Sequence, residues 1–546
     1  MNETPQLSEL ANEITRLEAS LKTKKREYTR LKNSVAPIAI LPNELLASIF
    51  EAGCNTTDPW VTPSSPFHAV RSKLLNARGS LQGPPFEILV SQVTRHWRNV
   101  AHQTPNLWTR VTLNTRTQHY LGVGADYIAR SGALPLDLRI DLTFVRGLSR
   151  PLPIKSICHL ICPEAVRWGQ LRMRSDWYTG LQYIFDKMPS HAPMLRYVDL
   201  CYDNPTVSPP DDPPLPKRIL TGGVSPLTRM VLKGVTLRCH FPPLAALQSL
   251  ECHFMTLNSA HHMVHDMFAH LTRLTRLVLN DIDFDWAGAV DGFELPALTA
   301  LYLRNIPDYD EVLAVISAPA LHTLYLNTVD SNEMLRFPEA LALPESGAPK
   351  FPRLRALFIK PVMYEDFSVA PDSWRALALI TPAVTHFGLL HESVDEFLLA
   401  LARTHAEPAG LEAFVQSGEF SHSDSASSAA PAALPIAWPE LHTVSFPEAS
   451  WTSLLDDILS ARAAAHCPIR RVQASREIMA WLGPAADVWR GVVDIVECDP
   501  RTSAECRELG ELYPVQWHDE GGEGESSFDD GDGDDISDFT DLSSGE

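Results

Sequence analysis

The sequence predicts a mixed α/β fold: a coiled-coil helix, a small helical domain, a repeat solenoid built on a parallel sheet, and a disordered acidic tail. Apolar residues near the N-terminus alternate in steps of three and four, and a Leu-x-x-Leu-x-Leu pattern recurs from about residue 190. The final segment is rich in Gly, Ser and acids. These patterns are typical of a coiled coil, a solenoid and a disordered segment, respectively. The predicted segments are, in order, residues 1–36, 37–113, 114–189, 190–517 and 518–546.

Composition narrows the classes of partner. Of the 546 residues, 45% are hydrophobic and 21% are charged, which is typical of soluble globular chains. The formal net charge is −21; residues 519–546 contribute −12 of it, so the rest of the chain is also acidic. Because an acidic chain repels phosphate backbones, we expect no nucleic-acid partner.

Cellular location is predicted from what the sequence lacks. No apolar run reaches the length of a bilayer span, and the N-terminus has no basic and apolar signal segment, so we expect neither membrane insertion nor secretion. The nine cysteines lack the dense spacing of a disulfide framework. We therefore expect reduced thiols and a cytoplasmic and/or nuclear protein.

The first segment carries an a/d heptad pattern over residues 7–35, interrupted only at Lys24. Such a pattern predicts a coiled-coil helix, which needs a partner for its apolar stripe. Two partners are open: a second copy of the chain, giving a homodimer, or another part of the same chain onto which the helix folds back.

Residues 37–113 predict a small helical domain. A helix is expected to begin near Pro42, since proline suits a first turn where its missing N–H would be unpaired. One apolar stripe comprises Leu41, Leu45 and Ile49, and a second comprises Leu46 and Phe50; we expect one to be buried in the domain and the other to be offered to a partner. Residues 54–84 are rich in Pro, Ser, Thr and Asn, which predicts a long loop. A second helix is expected over 86–101.

The stretches LPNELLASIF, LVSQVTRHWRNVA and TPNLW together resemble the F-box motif, in the F-box-like form common in mushroom-forming (basidiomycete) fungi. In that family the Leu-Pro start and the helix after it bind a Skp-type adaptor, which links to a cullin scaffold of a ubiquitin ligase. The resemblance implies a set of adaptor-binding residues, namely Leu41, Pro42, Leu45, Ile49 and Phe50. It implies that Val93, Trp97 and Trp108 form the core of the domain. The alternative is a helical domain that keeps the fold without the ligase partner.

The Leu-x-x-Leu-x-Leu pattern resembles leucine-rich repeats. It occurs nine times, with its first residue at Leu195, Leu227, Leu247, Leu274, Leu298, Leu321, Leu354, Val384 and Leu441. Several repeats begin after a proline, which blocks a helix from running into the strand. One more degenerate strand is expected near 469–472. Residues 114–189 are either a connecting segment or the first degenerate repeats.

In such repeats the apolar residues point inward, and the residues on either side of the middle one point to the concave face of the sheet. This rule places Tyr302, Tyr325 and Phe358 in an aromatic ladder on adjacent strands. Aromatic side chains on an exposed sheet are typical binding anchors, so the ladder is the candidate target-binding site. The alternative is that a segment such as residues 361–380 covers it.

The sequence favours a binding protein over an enzyme. It contains no Gly-rich phosphate loop and no Gly-x-Ser-x-Gly nucleophile elbow, and we expect no cofactor and no metal. Cys158 and Cys162 are one helical turn apart without a second ligand pair, which indicates structural thiols. Ser526 and Ser527 lie in the acidic tail as candidate phosphorylation sites; the alternative is a tail that only confers solubility. The expected function is therefore a substrate-recognition subunit of a cullin-type ubiquitin ligase, or else a repeat scaffold without ligase association.

Overall fold

The computed structural model describes most of the chain between residues 5 and 497. The described residues are 5–34, 38, 41–56, 84–115, 119–143, 154–176, 178–202, 217–218, 220, 227–235, 240–241, 244–256, 268–283, 292–344, 346–362, 367–391, 394–402, 436–446, 453–474 and 493–497. Most of the predicted 54–84 loop and the predicted acidic tail, with Ser526 and Ser527, lie outside them.

The described residues form α-helices throughout the chain. Their bounds are α1 Pro5–Ser34, α2 Asn43–Thr56, α3 Phe86–Val93, α4 Arg95–His102, α5 Tyr120–Arg130, α6 Ile154–Ile161, α7 Tyr178–Lys187, α8 Tyr309–Val315, α9 Ser331–Ala340, α10 Pro371–Ile380, α11 Asp395–Ala402 and α12 Ser453–Ala464. Short 3-10 helices lie at Pro105–Trp108 and Cys162–Arg167. None of the helices in this part of the chain combines the length and hydropathy that a bilayer crossing requires.

Most of the strands belong to one large sheet. The strand bounds are β1 Arg110–Asn114, β2 Leu136–Asp141, β3 Trp168–Ser175, β4 Tyr197–Tyr202, β5 Lys217–Arg218, β6 Arg229–Lys233, β7 His240–Phe241, β8 Ser249–Thr256, β9 Arg276–Asp283, β10 Phe293–Glu294, β11 Ala300–Arg304, β12 Ile316–Ser317, β13 Thr323–Val329, β14 Ala356–Pro361, β15 His386–Leu389, β16 Thr443–Phe446, β17 Arg471–Ala474 and β18 Asp494–Glu497. The sheet has 14 strands in the order β1-β2-β3-β4-β6-β8-β9-β11-β13-β14-β15-β16-β17-β18.

Every pairing within this sheet is parallel, and the strand order follows the chain order. Each of the nine predicted motifs forms one of these strands, and its first residue is at most 1% exposed. A strand is also present at the expected degenerate repeat, as β17. The predicted mixed α/β class with a parallel-sheet solenoid is therefore confirmed.

The sheet begins earlier than the nine motifs, because β1, β2 and β3 precede them in the same sheet. On one side the strands bury their apolar residues against helices: α5 packs on β1 and α7 packs on β3. Neighbouring helices pack side by side from α5 to α7 and again from α8 to α12. The core therefore lies between the row of helices and the sheet, and the opposite side is called here the open face of the sheet.

A tight turn introduces most of the repeat strands. The N–H of the first motif residue donates to the carbonyl three residues earlier, as Leu298 donates to Leu295 and Leu321 donates to Ala318. Proline follows the acceptor residue in both cases, at Pro296 and Pro319. Because proline fixes the φ angle that the second position of such a turn requires, it presets the chain direction before each strand.

Candidate functional site

Helix α2 presents two apolar faces in opposite environments. Leu46 and Phe50 are at most 1% exposed, whereas Leu45 is 52% exposed and Ile49 is 47% exposed. Phe50 packs against Trp97, with ring centroids 5.1 Å apart. Its predicted role as an adaptor contact is therefore wrong, because its ring forms the core of the helical domain.

Of the two residues that precede α2, one packs against the core and the other is exposed. Leu41 is half-buried and packs against the core, while Pro42 is exposed. The carbonyl of Pro42 accepts hydrogen bonds from the N–H groups of Leu45 and Leu46, so proline stands immediately before the first helical residue. Of the predicted adaptor-binding set, Pro42, Leu45 and Ile49 are accessible.

The predicted second helix is two helices, which break at Thr94. Thr94 has extended backbone angles, and its side-chain hydroxyl accepts the N–H of Trp97 at 3.0 Å, capping α4. On α3, which ends before Thr94, Val90 is buried, whereas Val93 is 54% exposed and Leu89 is 45% exposed. The prediction that Val93 belongs to the core is wrong, because the break at Thr94 ends α3 with Val93 facing solvent.

Leu89 and Val93 are four residues apart, so they form an exposed apolar pair on α3, as Leu45 and Ile49 do on α2. Helix α2 packs against both α3 and α4. Gly53 permits this packing, because a Cβ added there would lie 2.3 Å from the ring of Phe86. Leu89 was not among the predicted contacts; its spacing from Val93 was the available signal. The four side chains are called here the exposed helical pairs.

Trp108 anchors the helical domain to the sheet. Its side chain is fully buried, its Nε1 donates to the carbonyl of Ala101 at 2.8 Å, and its ring meets Tyr127 edge-on at 5.0 Å. The hydroxyl of Tyr127 donates to Glu87 Oε1 at 2.7 Å. Burial, and then the Glu87 carboxylate, raise the pKa of Tyr127, so this hydroxyl keeps its proton. Trp97 is half-buried at the edge of the same core.

A second connection runs between α2 and β1. The guanidinium of Arg110 donates to the carbonyl of Cys54 at 3.2 Å, and Cys54 lies 3.6 Å from Glu87 Oε2. Burial and the Glu87 carboxylate raise the pKa of Cys54 to about 12, so the thiol stays protonated. These contacts hold α2 and α3 against the first strand and fix the direction in which the exposed helical pairs point.

The predicted aromatic ladder is present on the open face. Tyr302 lies directly opposite Tyr325, and Tyr325 lies opposite Phe358 in the strand register. The ring centroids are 6.0 Å apart for the first pair and 6.3 Å apart for the second, and the guanidinium of Arg276 lies 4.7 Å from the Tyr302 centroid. The three rings are only 2% to 6% exposed, so the expectation that they are solvent-exposed is wrong. Their role in target binding stays a prediction.

Charged residues occupy the open face on the N-terminal side of the ladder. The Tyr197 ring lies between two guanidinium groups, 5.1 Å from that of Arg172 and 5.7 Å from that of Arg229. Arg229 Nη2 also lies 2.9 Å from Glu251 Oε1, although the Arg229 side chain is 53% exposed. An exposed guanidinium held by an aromatic ring and a carboxylate has a fixed position.

Glu251 is ionised within this cluster. Burial opposes ionisation, but the neighbouring His253, Arg229 and Arg276 lower the pKa of Glu251 to about 2. The His253 Nε2 atom is 4.0 Å from Glu251 Oε2. The cluster therefore balances buried negative charge with positive charge, which is the arrangement expected for a structural ion network.

A polar chain continues the open face on the C-terminal side of the ladder. His386 Nε2 is 2.7 Å from Ser445 Oγ, and Ser445 Oγ donates to Gln473 Oε1 at 2.7 Å. Burial, and then the charges of His442 and Arg471, lower the pKa of His386 to about 4. The imidazole is therefore neutral near pH 7. Because the Ser445 hydroxyl donates its proton to Gln473, the Nε2 atom of His386 is the donor to Ser445.

Within the described ranges no group of three or more His, Cys, Asp or Glu side chains is arranged to hold a metal ion. Hydrogen bonding with Cys162, and then burial, raise the pKa of Cys158, so that its thiol stays protonated.

No family model matches this chain, and no curated protein matches it. Among solved structures, the chain is similar to one described as the crystal structure of the Rad7 and Elc1 complex in yeast. The sequences are 12% identical, the match covers 71% of this chain and 94% of that chain, and the TM-score is 0.29. A TM-score this low does not establish a shared fold.

Proposed function

We propose that this chain is a substrate-recognition subunit of a cullin-type ubiquitin ligase. A Skp-type adaptor binds the F-box-like helices and joins the chain to a cullin, and a target protein binds the open face of the sheet. The chain itself performs no chemistry, because its contribution is to hold the target close to the enzyme that transfers ubiquitin. We place this activity in the cytoplasm and/or the nucleus.

The exposure of Leu45 and Ile49 is the observation that carries the proposal. A short helix that buries Leu46 and Phe50 in its own domain and leaves Leu45 and Ile49 about half exposed has a second apolar face that a partner can reach. Leu89 and Val93 extend this feature onto the adjacent helix α3. Exposed apolar side chains on packed helices are typical of protein-binding sites. The resemblance of LPNELLASIF to the F-box motif names the class of partner.

The rigid attachment of these helices also supports a receptor role. Trp108, Tyr127 and Arg110 fix α2 and α3 to the first strand of the sheet. A target bound to the sheet would therefore be held at a defined distance from the adaptor, which is what proximity-driven transfer requires.

The open face offers two kinds of contact for a target. The guanidinium of Arg229 is accessible in this structure and is oriented by Tyr197 and Glu251. Tyr302, Tyr325 and Phe358 remain the candidate target-binding residues; because they are buried, we expect a target to engage them only through a rearrangement that exposes the rings.

A binding assay with matched variants tests the adaptor contact. The full-length chain is mixed with a purified Skp-type adaptor and the dissociation constant is measured by calorimetry, in parallel with a Leu45→Glu, Ile49→Glu variant. We expect the parent to bind and the variant to bind at least about a hundredfold more weakly, since two central apolar contacts are lost.

The control variant carries Leu335→Glu and Leu379→Glu, two helical leucines that are 57% and 59% exposed outside the F-box-like region. It should bind as the parent does. All three chains should show the same thermal unfolding, because none of the four positions is buried. Failure of the parent to bind any Skp-type adaptor would contradict the proposal and would favour a repeat scaffold without ligase association.

A further inference from the structure

Helix α1 exposes a continuous apolar seam. The seam residues that the structure describes are 55% to 68% exposed, and they are Leu10, Ile14, Leu17, Leu21, Tyr28 and Leu31. Every described side chain of α1, at residues 8–29, 31 and 32, is exposed. The alternative in which this helix folds back onto its own chain is therefore not what the structure shows. A helix of 30 residues with an unburied heptad seam has the form of one strand of a coiled coil.

The charges of α1 are divided between its two halves. Residues 8–20 contain three Glu and one Arg, a net charge of −2, whereas residues 22–32 contain six Lys or Arg and one Glu, a net charge of +5. The centres of the two halves are roughly 20 Å apart along the helix. This separation exceeds the Debye length of about 8 Å at physiological salt, so each half interacts mainly with whatever lies beside it.

The charge division distinguishes the two possible directions of pairing. In a parallel, in-register pair, the basic halves would lie together and Lys24, which occupies a seam position, would face Lys24 of the second copy. In an antiparallel pair, the basic half of one helix lies beside the acidic half of the other. Opposite charges along a helix pair stabilise it, and like charges destabilise it.

We propose that α1 forms an antiparallel coiled coil with α1 of a second copy of this chain, making the protein a homodimer. The C-terminal ends of the two helices then lie at opposite ends of the pair, roughly 45 Å apart. Each copy can therefore carry its own repeat array without crowding the other. The charge complementarity between the halves identifies a second copy as the occupant of the seam.

The oligomeric state of the full-length chain tests the occupant. Sedimentation equilibrium should give twice the chain mass in the micromolar range, and a Leu17→Glu, Leu21→Glu variant should sediment as a monomer. The control variant Asn12→Glu, Ala19→Glu changes the charge equally on the same helix, but at the positions farthest from the seam, and should remain dimeric. A monomeric parent, or a dimer that survives the Leu17 and Leu21 substitutions, would overturn the proposal.

Charge reversal tests the direction. Lys22→Glu, Lys25→Glu and Lys32→Glu together make both halves of α1 acidic and should weaken the antiparallel dimer by about tenfold or more, while adding Glu9→Lys, Glu13→Lys and Glu18→Lys should restore it. A parallel dimer would respond in the opposite way, since the first change removes repulsion between its basic halves. Tighter dimerisation of the Lys-to-Glu variant would therefore overturn the antiparallel arrangement.

Discussion

The ring of Phe358 lies over the backbone of Gly388, so closely that a Cβ added to Gly388 would be 2.4 Å from Phe358 Cδ1. The two residues are opposite each other on β14 and β15. Gly388 thus leaves the space that Phe358 fills at the end of the aromatic ladder, and the ring of His386, on the same strand as Gly388, meets Phe358 edge-on with centroids 4.8 Å apart.

We predict that Gly388→Ala destabilises the protein by about 1–3 kcal/mol, because the added methyl group forces Phe358 out of its position. Thermal and chemical unfolding of the purified variant measure this. The control is Gly122→Ala, since nothing lies within 4 Å of a Cβ at Gly122 in α5. Alanine in a helix is favoured over glycine, so the control should be stabilised by roughly 0.5–1 kcal/mol. Equal stability of Gly388→Ala and the parent would show that Phe358 does not depend on this space.

Arg462 is a fully buried guanidinium that satisfies backbone carbonyls between repeats. It donates to the carbonyls of Ala437 at 2.9 Å, Trp438 at 2.8 Å and Cys467 at 3.2 Å. We predict that Arg462→Met destabilises the protein by roughly 3 kcal/mol, because several buried carbonyls lose their donors. Arg470→Met, at an exposed position nearby, should leave the denaturant midpoint unchanged. If both variants unfolded at the same denaturant concentration, the guanidinium would not be required for stability.

We predict that the stability of the folded protein depends on pH through the titration of Glu333. It closes a capping box with Asp330 at the start of α9. Burial is the largest influence on Glu333 and, with the Asp330 carboxylate, it raises the pKa to about 7 from the ordinary 4.5, against the opposing hydrogen bond from the Asp330 N–H. Since the folded state binds this proton more tightly, the contribution of Glu333 to stability is fully present below pH 4.5 and is lost as the pH rises to about 7.

Glu333→Gln keeps an acceptor for the capping box and removes the titration. We predict a melting temperature close to that of the parent at pH 4.5 and above it at pH 8, equivalent to about 1–3 kcal/mol. Melting curves of both chains across this pH range measure the difference, with Glu339→Gln, an exposed position on the same helix, as the control. A difference that does not vary with pH would contradict the raised pKa.

The repeat array was predictable wherever leucine or a similar aliphatic residue begins the motif. The motif did not identify β1 and β3 as repeat strands, because tryptophan takes the first position, at Trp108 and Trp168, three residues before Val111 and Leu171. Degenerate repeats over 114–189 remained one of two alternatives. Both indoles donate to the carbonyl seven residues earlier, that of Ala101 and that of Ile161. A buried indole needs such an acceptor, so the substitution works only where a preceding helix end supplies one. That condition is not visible in the sequence pattern.

The candidate contacts were predictable only to the level of helix faces. The two-stripe pattern separated Leu45 and Ile49 from Leu46, but the resemblance to the F-box motif assigned Phe50 to the wrong face. Val93 was misplaced because one helix was predicted where Thr94 starts a new one, although Thr94 is a favoured capping residue. The ladder of Tyr302, Tyr325 and Phe358 followed from strand periodicity. Its burial did not, because the rings pack on one another and on Arg276 and His386 of the flanking strands, which places these side chains in contact only once the strand register is known.

An adaptor bound at Leu45 and Ile49 should connect this chain to a cullin. Size-exclusion chromatography of the full-length chain, a Skp-type adaptor and a cullin should give one complex containing all three. The complex should be absent when the adaptor is omitted or when Leu45→Glu, Ile49→Glu replaces the parent. Elution of the parent apart from the adaptor and cullin would contradict a role in a ubiquitin ligase.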